Sequence, residues 1–516
     1  MHLAFCVANC RTQKAACSQS VQRFTIRPGH QCAFALLRQE LNMVNFGLIN
    51  EWEPATGRLT SWVASPAALD EAKGAPVHPT PASHQQEEYL LTAARNETVG
   101  FRFSRLCLVA FDFQTPLDVD AMTRTINTFL RRHDTFHSWF SCETDGSIVR
   151  HVVDPSIIEF RPTPHGEFDS PDAIRAHVET ETPGPFNWDC FTFGTIEHET
   201  GFTLYAAFDH LVTDGISSAL TVVELLQLYS SESQGTPSGL AEVGSYVEYC
   251  ARERAGSASL TLESPHVQRW IDLVHSNAGR LPTFPLDLGV ASAGYARTAH
   301  LSTTLFSEAD AEKFATVCRD QGAAFTPGVL AVAALASYEF TGAGNYFGLT
   351  PKSTRSTPAE FSSIGWFTSL IPVPVTVDES STFTSIVGAA QASYDSGKEL
   401  TDVSFHRVLQ LAGPDHGVNV DPGWSVPMVS YIDVRKLPGV DLFDAINTGL
   451  FGNRGSSEEV FLWINRFNDA TTISLLFPDT DEAHASIKLY VDRLSEIFTT
   501  IAAHGDYSPS VAALAT

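Results

Sequence analysis

Positive charge is scarce in this chain: 33 Lys and Arg stand against 59 Asp and Glu over 516 residues, a formal charge of −26. A surface of that sign repels a phosphate backbone and excludes nucleic acid as a general partner. Any anionic ligand then needs a local basic patch, for which Arg124, Arg131 and Arg132 are a candidate cluster. Long apolar runs are missing as well. The longest, residues 328–340 (GVLAVAALASYEF), is too short to span a bilayer and reads as a buried core helix. Cysteine is present but unorganised: of nine residues, Cys6, Cys10, Cys17 and Cys32 crowd the first 32 positions and the others are isolated. With no CxxC pair and no Cys/His metal spacing, reduced thiols in a cytosolic protein are expected. Low-complexity blocks are absent, and 43% hydrophobic with 18% charged residues is the composition of an ordinary folded chain.

Residues 1–42 differ from the rest, with five basic side chains (Arg11, Lys14, Arg23, Arg27, Arg38) and a single acid, Glu40. They lack an apolar core followed by a small-residue cleavage site. The expectation is an upstream extension, disordered or a mis-assigned start, with Met43 opening the folded protein. Residues 43–79 suggest a short strand or lid. Helical spacing of Met122, Ile126, Phe129 and Leu130 predicts a helix over 118–133 with an aspartate cap. A strand is predicted at 202–208, and a helix at 216–229 whose apolar face carries Ile216, Leu220, Val223 and Leu226. After the Pro/Gly-rich stretch at 280–295, the patterns predict helices at 308–321, 327–340, 382–397 and 481–503, with strands at 345–350, 366–376, 427–434, 459–465 and 471–477. Mixed elements in both halves argue for two α/β units, 43–280 and 281–516.

Between the strand at 202–208 and the helix at 216–229 lies His210-Leu-Val-Thr-Asp214-Gly215. A strand that ends in a histidine, followed by a turn in which Gly215 supplies conformational freedom, suits a general base. Neutral imidazole titrates near physiological pH and can accept a hydroxyl proton. Asp214 either orients His210 or braces the loop through an arginine. A histidine at a strand end is more often purely structural, so the context decides. No GxSxG nucleophile elbow occurs, which argues against a covalent intermediate of the α/β-hydrolase kind. His133 and His137 imitate an HExxH zinc helix, but Asp134 replaces the glutamate and no third ligand is evident, so a polar helix end is the better reading. Trp366, Phe367, Trp424 and Phe461 are either core or the lining of an acyl channel.

The context is a resemblance to the condensation-domain superfamily over nearly all of residues 80–480. PASHQQEEYL at 81–90 resembles its S-x-x-Q opening through Ser83 and Gln86, and LRRHDTFHSWF at 130–140 its RHxxLR segment through Arg132, His133 and Phe140. DHLVTDG at 209–215 occupies the HHxxxDG position, SYVEYC at 245–250 is similar to YxDYA, and SIGWFTSLIPV at 363–373 is similar to IGxFVNTLP. The blocks WEPATGRLTSW, LRRHDT, NWDCFTFG, LTPKSTR and GWFTS resemble the branch of actinobacterial polyketide-associated acyltransferases that decorate trehalose glycolipids.

That resemblance implies a mixed α/β fold of two chloramphenicol-acetyltransferase-like lobes with the active-site tunnel between them. It implies His210 as general base and a structural Asp214 salt-bridged to Arg355, nine residues before Ile364. Asp209 stands where the family has its first histidine, a departure that weakens a peptide-condensation reading. The implied reaction is transfer from an acyl-coenzyme A or acyl carrier protein thioester to a hydroxyl of a sugar or lipid, without cofactor or metal. The alternatives are a free-standing amide-forming condensation enzyme and a non-catalytic binding homologue. The chain is expected to act as a monomer in the cytoplasm, with peripheral membrane contact and a polyketide synthase or carrier protein as partner.

Overall fold

The computed structural model describes residues 45–98, 100, 105–290, 296–420 and 427–510. The extension at 1–42, its four cysteines and Trp424 lie outside these residues. The strands are β1 (Asn45–Leu48), β2 (Gly57–Ala64), β3 (Arg105–Phe113), β4 (Ser138–Cys142), β5 (Ile148–Val152), β6 (Phe160–Phe168), β7 (Phe191–His198) and β8 (Gly201–Asp209). They continue as β9 (Ala296–Ser307), β10 (Asn345–Ser353), β11 (Thr368–Thr376), β12 (Met428–Asp433), β13 (Gly449–Arg454), β14 (Ser456–Ser457), β15 (Phe461–Arg466) and β16 (Ala470–Pro478).

The first lobe is built on a seven-stranded sheet of order β1-β13-β3-β8-β7-β2-β6, antiparallel except for β1 beside β13. β8 shows why its apolar run is a strand: Phe202, Leu204, Ala206 and Phe208 enter the main core, while Tyr205 and Ala207 point to a smaller cluster with Trp52, Ile174 and Val178. Alternation with both faces covered makes the whole run apolar. The main core is closed by the helices Val119–Arg132 and Gly215–Gln234. Asp118 caps the first, accepting from the Ala121 N–H at 2.9 Å, as the spacing predicted. The segment at 43–79 contributes β2 between β7 and β6, with Leu59 and Trp62 fully buried. It is sheet rather than lid.

The second lobe carries a five-stranded sheet, β12-β15-β16-β9-β14, covered by the helices Glu308–Asp320, Phe325–Thr341, Phe383–Lys398 and Asp481–His504. Each of these helices matches its predicted span to within a few residues. Phe325–Thr341 holds the long apolar run and is buried on nearly every side. Among the described residues no single helix is long and apolar enough to cross a membrane. All five described cysteines are free thiols.

Two segments of the second half cross to the first lobe. β13 inserts between β1 and β3 in the first sheet. The connection from β10 to β11, residues 354–367, places Ile364, Trp366 and Phe367 in the first lobe's core. A single cut at residue 280 leaves the five-stranded sheet whole but takes β13 from the seven-stranded one, and the crossing at 354–367 brings Arg355 and Trp366 to the His210 loop.

Candidate active site

β8 ends at Asp209 and the chain turns immediately through a short 3-10 segment, His210–Val212. Asp209 is the cap of that turn. Its carboxylate, 2% exposed, accepts from the Leu211 N–H at 2.9 Å and from the Tyr89 phenol at 2.8 Å. Burial foremost, and the charge of Asp209 next, raise the Tyr89 phenol well above its ordinary value, so it stays a donor. The residue that replaces the family's first histidine thus pins the backbone at His210. On the far side of the turn, the Gln86 amide donates to the Leu211 carbonyl at 2.9 Å, which is what the S-x-x-Q segment does here. His210 itself is half-buried, its ring 4.3 Å from that of Trp366.

Asp214 caps the helix Gly215–Gln234, accepting from the Ser217 N–H at 2.8 Å. It also accepts from the Phe367 N–H at 3.0 Å and from both terminal nitrogens of Arg355 at 2.8 and 3.1 Å. A planar guanidinium meets a carboxylate in this two-point fashion, which a lysine cannot reproduce. Arg355 further donates to the Ser217 hydroxyl at 2.7 Å and to the carbonyls of Glu360 at 3.2 Å and Ser363 at 3.3 Å, over the Phe367 ring at 4.4 Å. The pair is buried, with Asp214 5% and Arg355 6% exposed. Asp214 does not stand as a hydrogen-bonded partner of His210; it fastens the loop to the second lobe.

The other motif segments converge on the same place. His133 lies between the lobes: the Ile364 N–H donates to its Nδ1 at 3.3 Å, so the proton sits on Nε2, which donates to Glu224 at 2.9 Å. Asp134 accepts from the Tyr246 N–H at 2.7 Å at the head of the helix Tyr246–Ala258. The Tyr246 phenol donates to the Trp366 carbonyl at 3.1 Å. Gly365 lies so close to the Tyr246 ring that a Cβ there would come within 2.5 Å of it. The His137 Nε2–H donates to the Leu130 carbonyl at 3.1 Å, and among the described residues no group of three or more His, Cys, Asp or Glu side chains could hold a metal ion.

Two expectations are corrected. Gly215 does not serve a turn: it is the exposed first residue of the helix, outside the left-handed region, and a Cβ there would meet nothing within 4 Å. The basic cluster is already committed, because Arg124 pairs with Glu232 at 2.8 Å, Arg132 with Glu224 at 2.9 Å, and Arg131 donates to the Ile158 carbonyl at 2.6 Å. Of the two readings of the aromatic series, core holds for the described members: Trp366, Phe367 and Phe461 are 5%, 0% and 7% exposed. Trp366 packs against His210. Tyr89, Ser217 and the capping role of Asp209 escaped sequence reasoning, since nothing in their spacing distinguishes them from ordinary helix and strand residues.

Two mixed α/β lobes, joined by a strand exchange and a crossing segment that locks a histidine-bearing loop at their seam, define the class: a two-lobed acyltransferase of the condensation type. The chain belongs to the condensation-domain family, whose model, described as Condensation domain, matches residues 81–422. It is 38% identical over 467 residues to the 2'-acyl-2-O-sulfo-trehalose (hydroxy)phthioceranyltransferase PapA1 of Mycobacterium tuberculosis, covering 90% of this chain and 89% of that one. It is 37% identical over 460 residues to the trehalose-2-sulfate acyltransferase PapA2 of Mycobacterium bovis, covering 88% and 97%. The solved structure of a PapA2 acyl transferase superposes with a TM-score of 0.83 at 35% identity, over 89% of this chain and 99% of that one. The first condensation domain of the calcium-dependent antibiotic synthetase shares the fold at a TM-score of 0.61 and 17% identity, over 82% and 96%.

Proposed function

We propose that this acyltransferase moves a fatty or polyketide acyl group from a thioester to a hydroxyl of trehalose or a trehalose glycolipid, with His210 as general base. The observation that carries the reading is the half-buried His210 at the seam of the lobes, on a loop fastened by Asp209, Gln86 and the Asp214–Arg355 pair. The activities named for the two trehalose-acylating relatives support the acceptor class.

In this reading donor and acceptor approach the seam from opposite sides. His210 takes the proton of the acceptor hydroxyl as its oxygen attacks the thioester carbonyl. The C–O bond forms, the C–S bond breaks, and the leaving thiolate recovers the proton from the imidazolium. No residue of the chain becomes acylated and no cofactor takes part; coenzyme A or a carrier protein brings the acyl group. The exposed amide of Gly215, at the head of a 20-residue helix, is the candidate donor to the carbonyl oxygen as it becomes negative. The free thiols fit a cytoplasmic enzyme meeting its lipid substrates at the membrane face.

Two outcomes are expected. With palmitoyl-coenzyme A as donor and trehalose, trehalose-2-sulfate, a long-chain diol and a primary amine as acceptors, mass spectrometry should find an ester on the trehalose compounds. Acylation of the amine alone would replace this reading with peptide-type condensation, and no transfer to any acceptor would favour a binding homologue. In Gly215→Ala the fold should be kept or stabilised by about 0.5–1 kcal/mol, because alanine is the better helix former and the added methyl meets open space. Gly215→Pro, which removes the N–H at the first position of the helix, where proline is tolerated, should lower turnover by about 10²- to 10³-fold. Full turnover in Gly215→Pro would remove the Gly215 amide from the mechanism.

A further inference from the structure

The His210 side chain is restrained by more than its backbone. The indole of Trp366, carried by the crossing segment at 354–367, lies against the imidazole with ring centroids 4.3 Å apart and planes tilted by 50°. Trp366 is itself held from several directions. Tyr89 packs against it edge-on at 5.4 Å and 83°, the Tyr246 phenol holds its carbonyl at 3.1 Å, and the next N–H, of Phe367, is bound to Asp214 at 3.0 Å. Tyr89 in turn holds Asp209, the cap of the His210 turn, at 2.8 Å. One tyrosine therefore ties together the restraint on the His210 backbone and the restraint on its ring.

We infer that Trp366 is a positioning residue of the transfer reaction, holding the His210 ring toward the acceptor and stabilising the positive charge the ring takes up. The inference rests on His210 being the base. A general base starts the step without the proton; on accepting it from the hydroxyl the imidazole becomes a cation. A cation within about 6 Å of an indole centroid is attracted by the negative face of the ring, most strongly for tryptophan. The interaction is thus stronger after proton transfer than before it, which is the condition for raising kcat rather than lowering KM. A water-excluding leucine would fill the space without supplying the field.

The ionisable groups around the turn include Asp209 on β8, Cys190, whose carbonyl accepts from the Asp209 N–H, Tyr89 on the helix His84–Thr98, Arg105 and Cys107 on β3, Asp214 at the head of its helix, and Arg355 from the second lobe. Burial pushes the Cys107 thiol up to about 12, so it stays uncharged at working pH. All of them remain in a Trp366 variant, and a change in the pH profile then reports the indole.

The test uses the full chain with palmitoyl-coenzyme A and trehalose, comparing W366F, W366L and H210A for kcat, KM, pH profile and melting temperature. W366L should lose kcat by roughly tenfold, the scale of one desolvated cation–π contact, with KM for both substrates within about twofold. Its acid limb of kcat/KM should move to lower pH, because the imidazolium has lost stabilisation. W366F should keep most of kcat, with a smaller movement in the same direction. An unchanged kcat in W366L, a raised KM with kcat intact, or a loss that follows the melting temperature with no movement of the acid limb would each overturn the inference. Should W366L fail to fold, a folded W366F with the parent acid limb overturns it alone. Turnover retained in H210A refutes the base itself, whereas an inactive H210A beside a fully active W366L refutes only the role of Trp366.

Discussion

Replacing His210 with alanine is expected to lower kcat/KM for acyl transfer by about 10²- to 10⁴-fold, the usual worth of a positioned general base. That corresponds to about 3–5 kcal/mol of transition-state stabilisation. The melting temperature should stay within about a degree, because the contacts that fold the loop belong to its neighbours. Asp209 caps the turn, Gln86 holds the Leu211 carbonyl, and Asp214 caps the following helix. Release of coenzyme A and mass spectrometry of the acylated sugar measure the loss. Turnover within tenfold of the parent, in a protein that melts at the parent temperature, would remove His210 from the proton chemistry.

Arg355→Ala is expected to damage the fold and the activity together. Asp214 is 5% exposed, and removal of the guanidinium leaves its carboxylate buried without a countercharge. Breaking such a pair costs about 3–5 kcal/mol, far more than the loss of an exposed ion pair. The same change removes donors from the Ser217 hydroxyl and from the carbonyls of Glu360 and Ser363, so the crossing segment loses its anchor as well. The melting temperature should fall by several degrees, and kcat should fall because the segment also carries Trp366. The double variant Asp214→Asn with Arg355→Met should cost clearly less than the sum of the single changes, since it buries no lone charge. An unchanged melting curve in Arg355→Ala would mean that the pair contributes nothing to joining the lobes.

Much of the fold was legible because its signals are local. The helix Val119–Arg132 announced itself through Met122, Ile126, Phe129 and Leu130 with Asp118 as cap, and β8 through an unbroken apolar run. β3 and β7, also buried strands of the first sheet, were missed: on one sequence a short apolar run beside helices is ambiguous. Gly215 shows the opposite failure. A glycine after an aspartate at a strand-to-helix junction suggested a turn requirement, whereas the junction is made by the 3-10 segment at His210–Val212 and the glycine is ordinary helix. The cluster of Arg124, Arg131 and Arg132 looked available for an anion because a sequence displays charges but not the carboxylates and carbonyls that meet them in space.

By itself the sequence determined the family and the order of most elements, and it singled out the histidine, aspartate and arginine of the candidate site, because each of these rests on local periodicity or on short motifs kept in order along the chain. It also determined that the surface is acidic and that no run is apolar enough for a membrane span. The tertiary structure alone decided what joins them. The crossing of residues 354–367 into the first lobe turns a pair 141 residues apart into a two-point ion pair and sets Trp366 against His210. Insertion of β13 beside β3 completes the sheet that presents the loop. Contacts at such separation leave no periodic trace, because each residue satisfies its local helix or strand pattern equally well without them.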